Sequence, residues 1–475
     1  MARHLSTAFR AWLRRHRALL WVTIAALLVR LVWNLWAHPP SQYAYSDMAG
    51  YVDRANELFD LRSKPPSNFA AKDLIDVWYR RLFDTPSGRP SAYLTLFPFG
   101  THVLIYLVKL LFGRDSAAGL GFAYAVFGTV AVAFTYATAE RLVAGRWARR
   151  LVGALLVVYY PWIALGGYSL SEIPFAMCVS ASAFYSLRLA DRGRRTDALG
   201  FGLAAALGTL VRPQMLVAVA LIGLFALVRR RAFRRRAAQL SLLALFPLGI
   251  TLGIAAARTH YHTAHYGLVS TNGPLNFVFG RCHNTTLSAH TKRGGAFFGP
   301  PPLGALAAYE KDHPHPLFSL SPAMGLTLSF EGDMWDAAPN RKLAEACIAK
   351  TGLIKQGYYA ITHVVLLWGY NIIWPDQGSK HHGLRLTMAI ACIAHAALLL
   401  PGALVALALA FRRKQARLMI VALQLWSVVL TAMLYFGDTR YRAPYDGVII
   451  ILAAVGWPAV WRGAQRLRDR LRRAP

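Results

Sequence analysis

The chain has 475 residues, 56% of them AVILMFWYC, and a formal net charge of +31. Uncharged apolar runs of about 17–25 residues recur along it, long enough to cross a bilayer core, and they exclude an array of soluble domains. The basic excess would suit nucleic acid in a soluble protein. Here the arginines cluster at the ends of apolar runs, as the positive-inside rule predicts, and nucleic acid is set aside as a partner.

The first apolar run, Leu19 to Trp36, follows a basic leader of Arg10, Arg14, Arg15 and Arg17. No small-x-small cleavage site follows, so it reads as an uncleaved signal anchor. Clusters at Arg146–Arg150, Arg188–Arg195, Arg229–Arg236, Arg412–Arg417 and Arg462–Arg473 can all be cytoplasmic at once. That requires spans near 18–36, 117–138, 151–169, 173–189, 198–211, 214–228, 238–257, 386–411, 418–436 and 444–461. The expectation is a polytopic membrane protein, all-α, with about 10–12 spans and both termini cytoplasmic. Residues 1–36 form the tail and first span, and 37–116 a first outer loop with juxtamembrane helices. Central membrane helices occupy 117–257, a large outer loop 258–384, and the last membrane helices and basic tail 385–475.

Two further stretches, 92–112 and 352–375, are apolar enough to be spans. A crossing by either would move every later arginine cluster to the wrong side, so both are placed at the outer interface. Under this scheme the outer face holds most of the carboxylates, among them Asp47, Asp73, Asp76, Asp84, Glu172, Glu310, Asp312, Asp333, Asp336, Asp376 and Asp438. Acid–base work needs such groups. The cytoplasmic loops are short and carry no phosphate-binding glycine loop, which excludes an ATP-driven pump acting alone. An activated donor must then arrive from the membrane or the outer space.

Several outer constellations could carry chemistry. Ser46-Asp47-Met-Ala-Gly-Tyr51 follows the first span, with Asp47 either a helix cap or a base at the membrane surface. Ser171-Glu172-Ile-Pro174 heads a span, as a cap or as substrate support. Arg212 in Leu-Val-Arg-Pro, and Arg440 with Tyr441 in Asp438-Thr-Arg-Tyr-Arg-Ala-Pro444, lie at outer hairpins. Arginines there can snorkel to headgroups or grip a phosphate. Ser270-Thr-Asn272-Gly opens the large loop as a turn-rich stretch with a short strand. His260, His262 and His265 lack a partner that completes a metal-ligand spacing and read as juxtamembrane polar residues. Cys178 and Cys392 fall inside spans; Cys282 and Cys347 share the outer loop, where the compartment permits a bridge.

Taken in order, these motifs resemble the bacterial polyprenyl-phosphate-sugar glycosyltransferases of the GT-C fold. The nearest groups are the family 39 protein mannosyltransferase-like proteins and the aminoarabinose transferases. The resemblance rests on Ser46-Asp47-Met-Ala-Gly-Tyr51, the proline-led stretch from Arg89-Pro90 to Leu111-Phe112-Gly113, Ser171-Glu172, Leu210 to Pro213, Ser270 to Gly280, and Arg440 to Pro444. It implies a GT-C-like bundle with an active site beneath juxtamembrane helices. Asp47 would be the base, and Tyr51, Glu172, Arg212, Asn272, Arg440 and Tyr441 would bind substrate. The sequence departs from the family pattern in offering one carboxylate at Ser46-Asp47-Met48, where many relatives carry two. The resemblance implies an inverting transfer of a sugar from a polyprenyl-phosphate donor to a lipid, glycan or protein acceptor in the bacterial inner membrane. No cofactor is called for, a divalent metal ion being the one candidate. The competing classes are a transporter or flippase of lipid-linked intermediates, which would favour charge buried within spans, and a non-catalytic subunit of the same fold.

Overall fold

The computed structural model describes residues 2–43, 46–63, 95, 97–228, 234–282, 287–291, 294–298, 328–331, 337–369, 371–435 and 437–473. Arg89-Pro90, the first part of the Arg229–Arg236 cluster, and Asp73, Asp76, Asp84, Glu310, Asp312, Asp333 and Asp336 lie outside them. The chain is a helical, multi-span bundle. Among the described residues, eight helical segments are long and apolar enough to cross a membrane.

The first helix, α1 (Ala2–Val32), joins the basic leader to the first span without a break and ends in a π-turn, Trp33–Ala37. Past Tyr43 comes α2 (Asp47–Ser63). Its Met48, Tyr51, Ala55 and Leu58 recur at helical spacing and are all buried. That face packs against α3 (Gly100–Phe112). At about 1.5 Å per residue, α3 reaches roughly 20 Å, short of the about 30 Å of a bilayer core. The length of α3 therefore suits an interfacial position. Arg114 clamps the far end of α2 by a two-pronged pairing with Asp60, at 2.8 and 2.9 Å.

The central helices are α4 (Ala117–Leu142), α5 (Arg146–Val158), α6 (Tyr160–Gly166), α7 (Glu172–Arg192), α8 (Arg195–Val211), α9 (Met215–Val228) and α10 (Arg234–Thr263). The expected span 151–169 is broken at Tyr159, between α5 and α6. The buried Arg30 donates to the carbonyls of Leu156 and Val157 at 3.3 and 3.4 Å, setting a cation at the open end of α5. The expected spans 198–211 and 214–228 become α8 and α9, of 17 and 14 residues. Arg212-Pro213 separates them, since proline cannot continue the ladder.

The stretch opening the large loop was expected to hold a strand. It instead forms α11 (Gly273–Arg281), because Pro274 in the first turn suits a helix start. Beyond it lie β1 (Leu287–Thr291), β2 (Gly294–Phe298) and β3 (Leu328–Glu331), in the order β2-β1-β3. Pairing is antiparallel between β1 and β2 and parallel between β1 and β3. Next is α12 (Ala337–Trp368), kinked at Gly352, where φ is +75°. A disulfide joins Cys282 to Cys347, tying the end of α11 to α12. The last helices are α13 (His382–Ala394), α14 (Leu400–Arg412), α15 (Ala416–Leu434), the single turn α16 (Thr439–Arg442) and α17 (Asp446–Arg473).

The spans carry more buried charge than the sequence suggested. Arg442 and Asp446 are fully buried and stand 3.2 Å apart. The Tyr159 hydroxyl donates to Asp446 at 2.7 Å and lies 2.8 Å from Nδ1 of His395. Hydropathy averages missed this cluster because its members come from three distant segments and each is diluted by apolar neighbours.

Candidate active site

Arg440 is the centre of the site. Its residue is placed by α16, whose N-cap Asp438 accepts the Arg440 backbone N–H at 2.7 Å. The hairpin before it is set by Gly437. A Cβ there would fall 1.8 Å from the His363 carbonyl oxygen, so only glycine allows α12 to approach. The Gly437 N–H donates to Nδ1 of His363 at 3.1 Å.

From this position the guanidinium reaches two carboxylates. Its Nη2 donates to Oδ2 of Asp47 at 3.0 Å, and its Nε to Oε1 of Glu172. The same Oε1 accepts from Nη2 of Arg212 at 2.5 Å. Arg212 donates through Nε to the Ser171 hydroxyl at 2.9 Å and lies over the Tyr441 ring, 5.4 Å from its centroid. The Ser171 side chain therefore serves Arg212 and makes no capping hydrogen bond to α7. Glu172 is fully buried, and among the described residues nothing donates to its Oε2.

Asp47 is delivered by the start of α2. Ser46, just before it, adopts φ +54°, a left-handed conformation that non-glycine residues rarely take. One turn on, Tyr51 is buried with its ring against Phe97, at 5.9 Å. Burial, and then the Asp47 charge, push the Tyr51 hydroxyl up to about 12, so it remains a donor at neutral pH. Two carboxylates and two guanidiniums thus meet at the ends of four separate segments. Their formal charges cancel, and the arginines keep further N–H groups with which to meet an anion.

Six of the seven expected residues converge: Asp47, Tyr51, Glu172, Arg212, Arg440 and Tyr441. Asn272 is engaged elsewhere. Its Oδ1 accepts from the Ser270 hydroxyl at 2.8 Å, and the neighbouring Thr271 N–H donates to the Thr95 carbonyl at 2.8 Å. No contact in the described structure carries Asn272 to the arginines. His260 stacks on Tyr266 at 4.2 Å. Among the described residues, no group of three or more His, Cys, Asp or Glu stands where it could hold a metal ion.

One neighbour escaped sequence reasoning. Trp374 lies under the Arg440 guanidinium, 4.4 Å from Cζ to the ring centroid. The signal was available in Trp374-Pro375-Asp376, an aromatic and a carboxylate together in an outer loop. It was absorbed into the apolar stretch 352–375.

Residues 97–252, about a third of the chain, match the family described as dolichyl-phosphate-mannose-protein mannosyltransferase. No protein of curated function matches the sequence. Among solved structures, the chain is similar to the archaeal oligosaccharyltransferase AglB from Archaeoglobus fulgidus, in complex with an inhibitory peptide and a dolichol-phosphate. The identity is 13% and the TM-score 0.46, over 96% of this chain and 52% of that one. This chain thus spans about half the length of that relative. It is also similar to ArnT from Cupriavidus metallidurans. The apo form gives 14% identity and a TM-score of 0.37, over 92% of this chain and 78% of that one. The form bound to undecaprenyl phosphate gives 15% and 0.38, over 94% and 79%. Over residues 97–252, from α3 into α10, the chain resembles the dolichyl-phosphate-mannose-protein mannosyltransferases, in keeping with the resemblance read from its motifs.

Proposed function

We propose that this protein transfers a sugar from a polyprenyl-phosphate donor to an acceptor hydroxyl, with Asp47 as the base. The observation that carries the reading is the arginine bridge: Arg440 touches both Asp47 and Glu172, and Arg212 closes the far side. This is the chemistry of a site that takes an anionic leaving group beside a carboxylate. Asp47 accepts the proton of the acceptor hydroxyl as its oxygen bonds to the sugar C1. The bond from C1 to the phosphate oxygen breaks, and the electron pair leaves with the polyprenyl phosphate. That phosphate gains one negative charge, which Arg440 and Arg212 stabilise. One base is enough, because phosphate leaves without help from an acid, and single displacement inverts C1.

The reaction is placed on the extracytoplasmic face of a bacterial inner membrane, with both termini inside. Two features support this side: the basic clusters at the opposite ends of the helices and the Cys282–Cys347 disulfide in the large loop. The partners are then the lipid-linked donor, the bilayer, and a lipid, glycan or protein acceptor.

The test is binding of undecaprenyl phosphate to the purified full chain, with Arg440→Ala and Arg212→Ala as variants. Each is expected to lose about tenfold or more in affinity, the value of one charge-assisted hydrogen bond. Affinity unchanged in both variants would remove the phosphate from this site. Binding that is kept, with lipid moved across vesicles and no sugar transferred from any polyprenyl-phosphate donor, would support a transporter.

A further inference from the structure

Arg440 has a second support besides its carboxylates, the Trp374 ring. Trp374 sits on a short loop between α12 and α13, and the loop is pinned on both sides of it. Ile373, before it, is fully buried in the core. Asp376, two residues after it, is 2% exposed and accepts the Tyr168 hydroxyl at 2.6 Å and the Tyr160 hydroxyl at 3.5 Å. The turn is closed by Gly378 N–H to the Pro375 carbonyl at 3.0 Å and Ser379 N–H to the Asp376 carbonyl at 3.1 Å.

Tyr168 is itself fixed. Its ring meets His38 edge-on at 4.6 Å and Tyr43 at 5.4 Å, and those two rings stack on each other at 3.9 Å. Tyr168 also begins the segment that runs through Ser171 to Glu172. One stretch of five residues therefore anchors both supports of Arg440: Glu172 directly, and Trp374 through Asp376. A buried carboxylate costs stability unless donors meet it, and a leucine would fill the same space more cheaply. Its presence two residues from the ring that supports Arg440 calls for a role.

We infer that Asp376 is a positioning residue: by holding the Tyr168 and Tyr160 hydroxyls it fixes the Trp374 ring beneath Arg440 and so sets which N–H groups of that guanidinium face the phosphate. The inference rests on the reading of Arg440 as a phosphate-binding residue. A guanidinium stacks favourably on an aromatic face, so a displaced Trp374 ring withdraws one of the supports that hold the Arg440 guanidinium in its orientation. Turning the plane misdirects a planar fork whose strength depends on alignment.

The experiment is a mutant cycle on undecaprenyl phosphate affinity, using the full chain. Asp376→Ala and Trp374→Ala are each expected to weaken binding about tenfold, and the double variant no further, because both act on one contact. Asp376→Asn keeps an acceptor for Tyr168 and is expected to restore affinity to within about twofold. Neither alanine variant should matter once Arg440→Ala is in place. Losses that multiply in the double variant, or persist in the Arg440→Ala background, overturn the inference. A second measurement does not depend on any ligand. Trp374 emission, taken as the difference between each protein and its Trp374→Phe counterpart, should shift on Asp376→Ala and not on Asp376→Asn. No shift overturns the inference whatever Arg440 binds, whereas a shift with undiminished phosphate affinity in Arg440→Ala itself overturns only the parent reading. If Asp376→Ala does not fold, Tyr168→Phe removes the 2.6 Å hydrogen bond while keeping the ring, and carries the same comparison.

Discussion

Replacing Asp47 with asparagine separates a base from a mere partner of Arg440. The structural loss is small. One ion pair of 3.0 Å disappears, between side chains 30% and 14% exposed, while Arg440 keeps Glu172 and asparagine keeps an acceptor oxygen. A partly screened pair of this kind is worth about 1 kcal/mol. A general base contributes roughly 10²–10⁴ in rate, or about 3–5 kcal/mol of barrier. The two magnitudes differ enough to be told apart. Sugar transfer by membrane vesicles, measured beside the thermal melt of the same purified variant, should show activity lost and the melt almost unmoved. Transfer retained within about tenfold would refute the role of Asp47 as base. A melt lowered in step with activity would mean that Asp47 only holds the fold.

Glu172→Ala is expected to cost about 3 kcal/mol, because it leaves the buried Arg212 without a carboxylate and Arg440 with Asp47 alone, and Glu172→Gln less; chemical or thermal unfolding of the two variants gives the comparison. Gly437→Ala should fail to fold, given a Cβ 1.8 Å from the His363 carbonyl oxygen, and expression with size-exclusion analysis will report it. Burial pushes the Asp376 carboxyl up to about 6, above its value of 3.8 in an unfolded chain. The folded state then holds the proton more tightly, so this group's contribution is complete below about pH 4 and is lost as pH rises through about 6. Asp376→Asn should therefore flatten the melt between pH 4 and pH 7, leaving the variant level with the parent at the acid end and more stable at the neutral end. Cys282→Ser should cost about 2–4 kcal/mol, and thiol titration of the unfolded chain should count three free cysteines where the parent has two.

Much of the site was legible because its chemistry is local in sequence. Asp47 beside Tyr51, Ser171 beside Glu172 and the Arg212-Pro213 break are short motifs whose residues stay together whatever the fold. Arg440 is legible as a charge at a hairpin, but its two carboxylates lie hundreds of residues away. Asn272 illustrates the limit. Substrate contact there was implied by the resemblance alone, and the structure shows Pro274 starting a helix and the loop held against Thr95. The Arg442–Asp446–His395–Tyr159 cluster was invisible for the opposite reason, since each member looks isolated until the helices pack. Trp374 was hidden by an average, its stretch 352–375 having been weighed for hydropathy as a whole, and Asp376 was visible only as one outer carboxylate among many.

The arrangement around Arg440 also fixes a sequence of events during synthesis. Glu172 and Arg212 are 40 residues apart, so their pairing can form while most of the chain is still to be made. Asp47 and Arg440 are separated by 393 residues, and their contact must wait for the last helices to leave the ribosome and insert. Until then Glu172 and Arg212 are paired while Asp47 stands without its arginine. Assembly of the cluster is thereby coupled to completion: a chain that stalls before the final hairpin lacks Arg440, and with it the contact that joins Asp47 to Glu172.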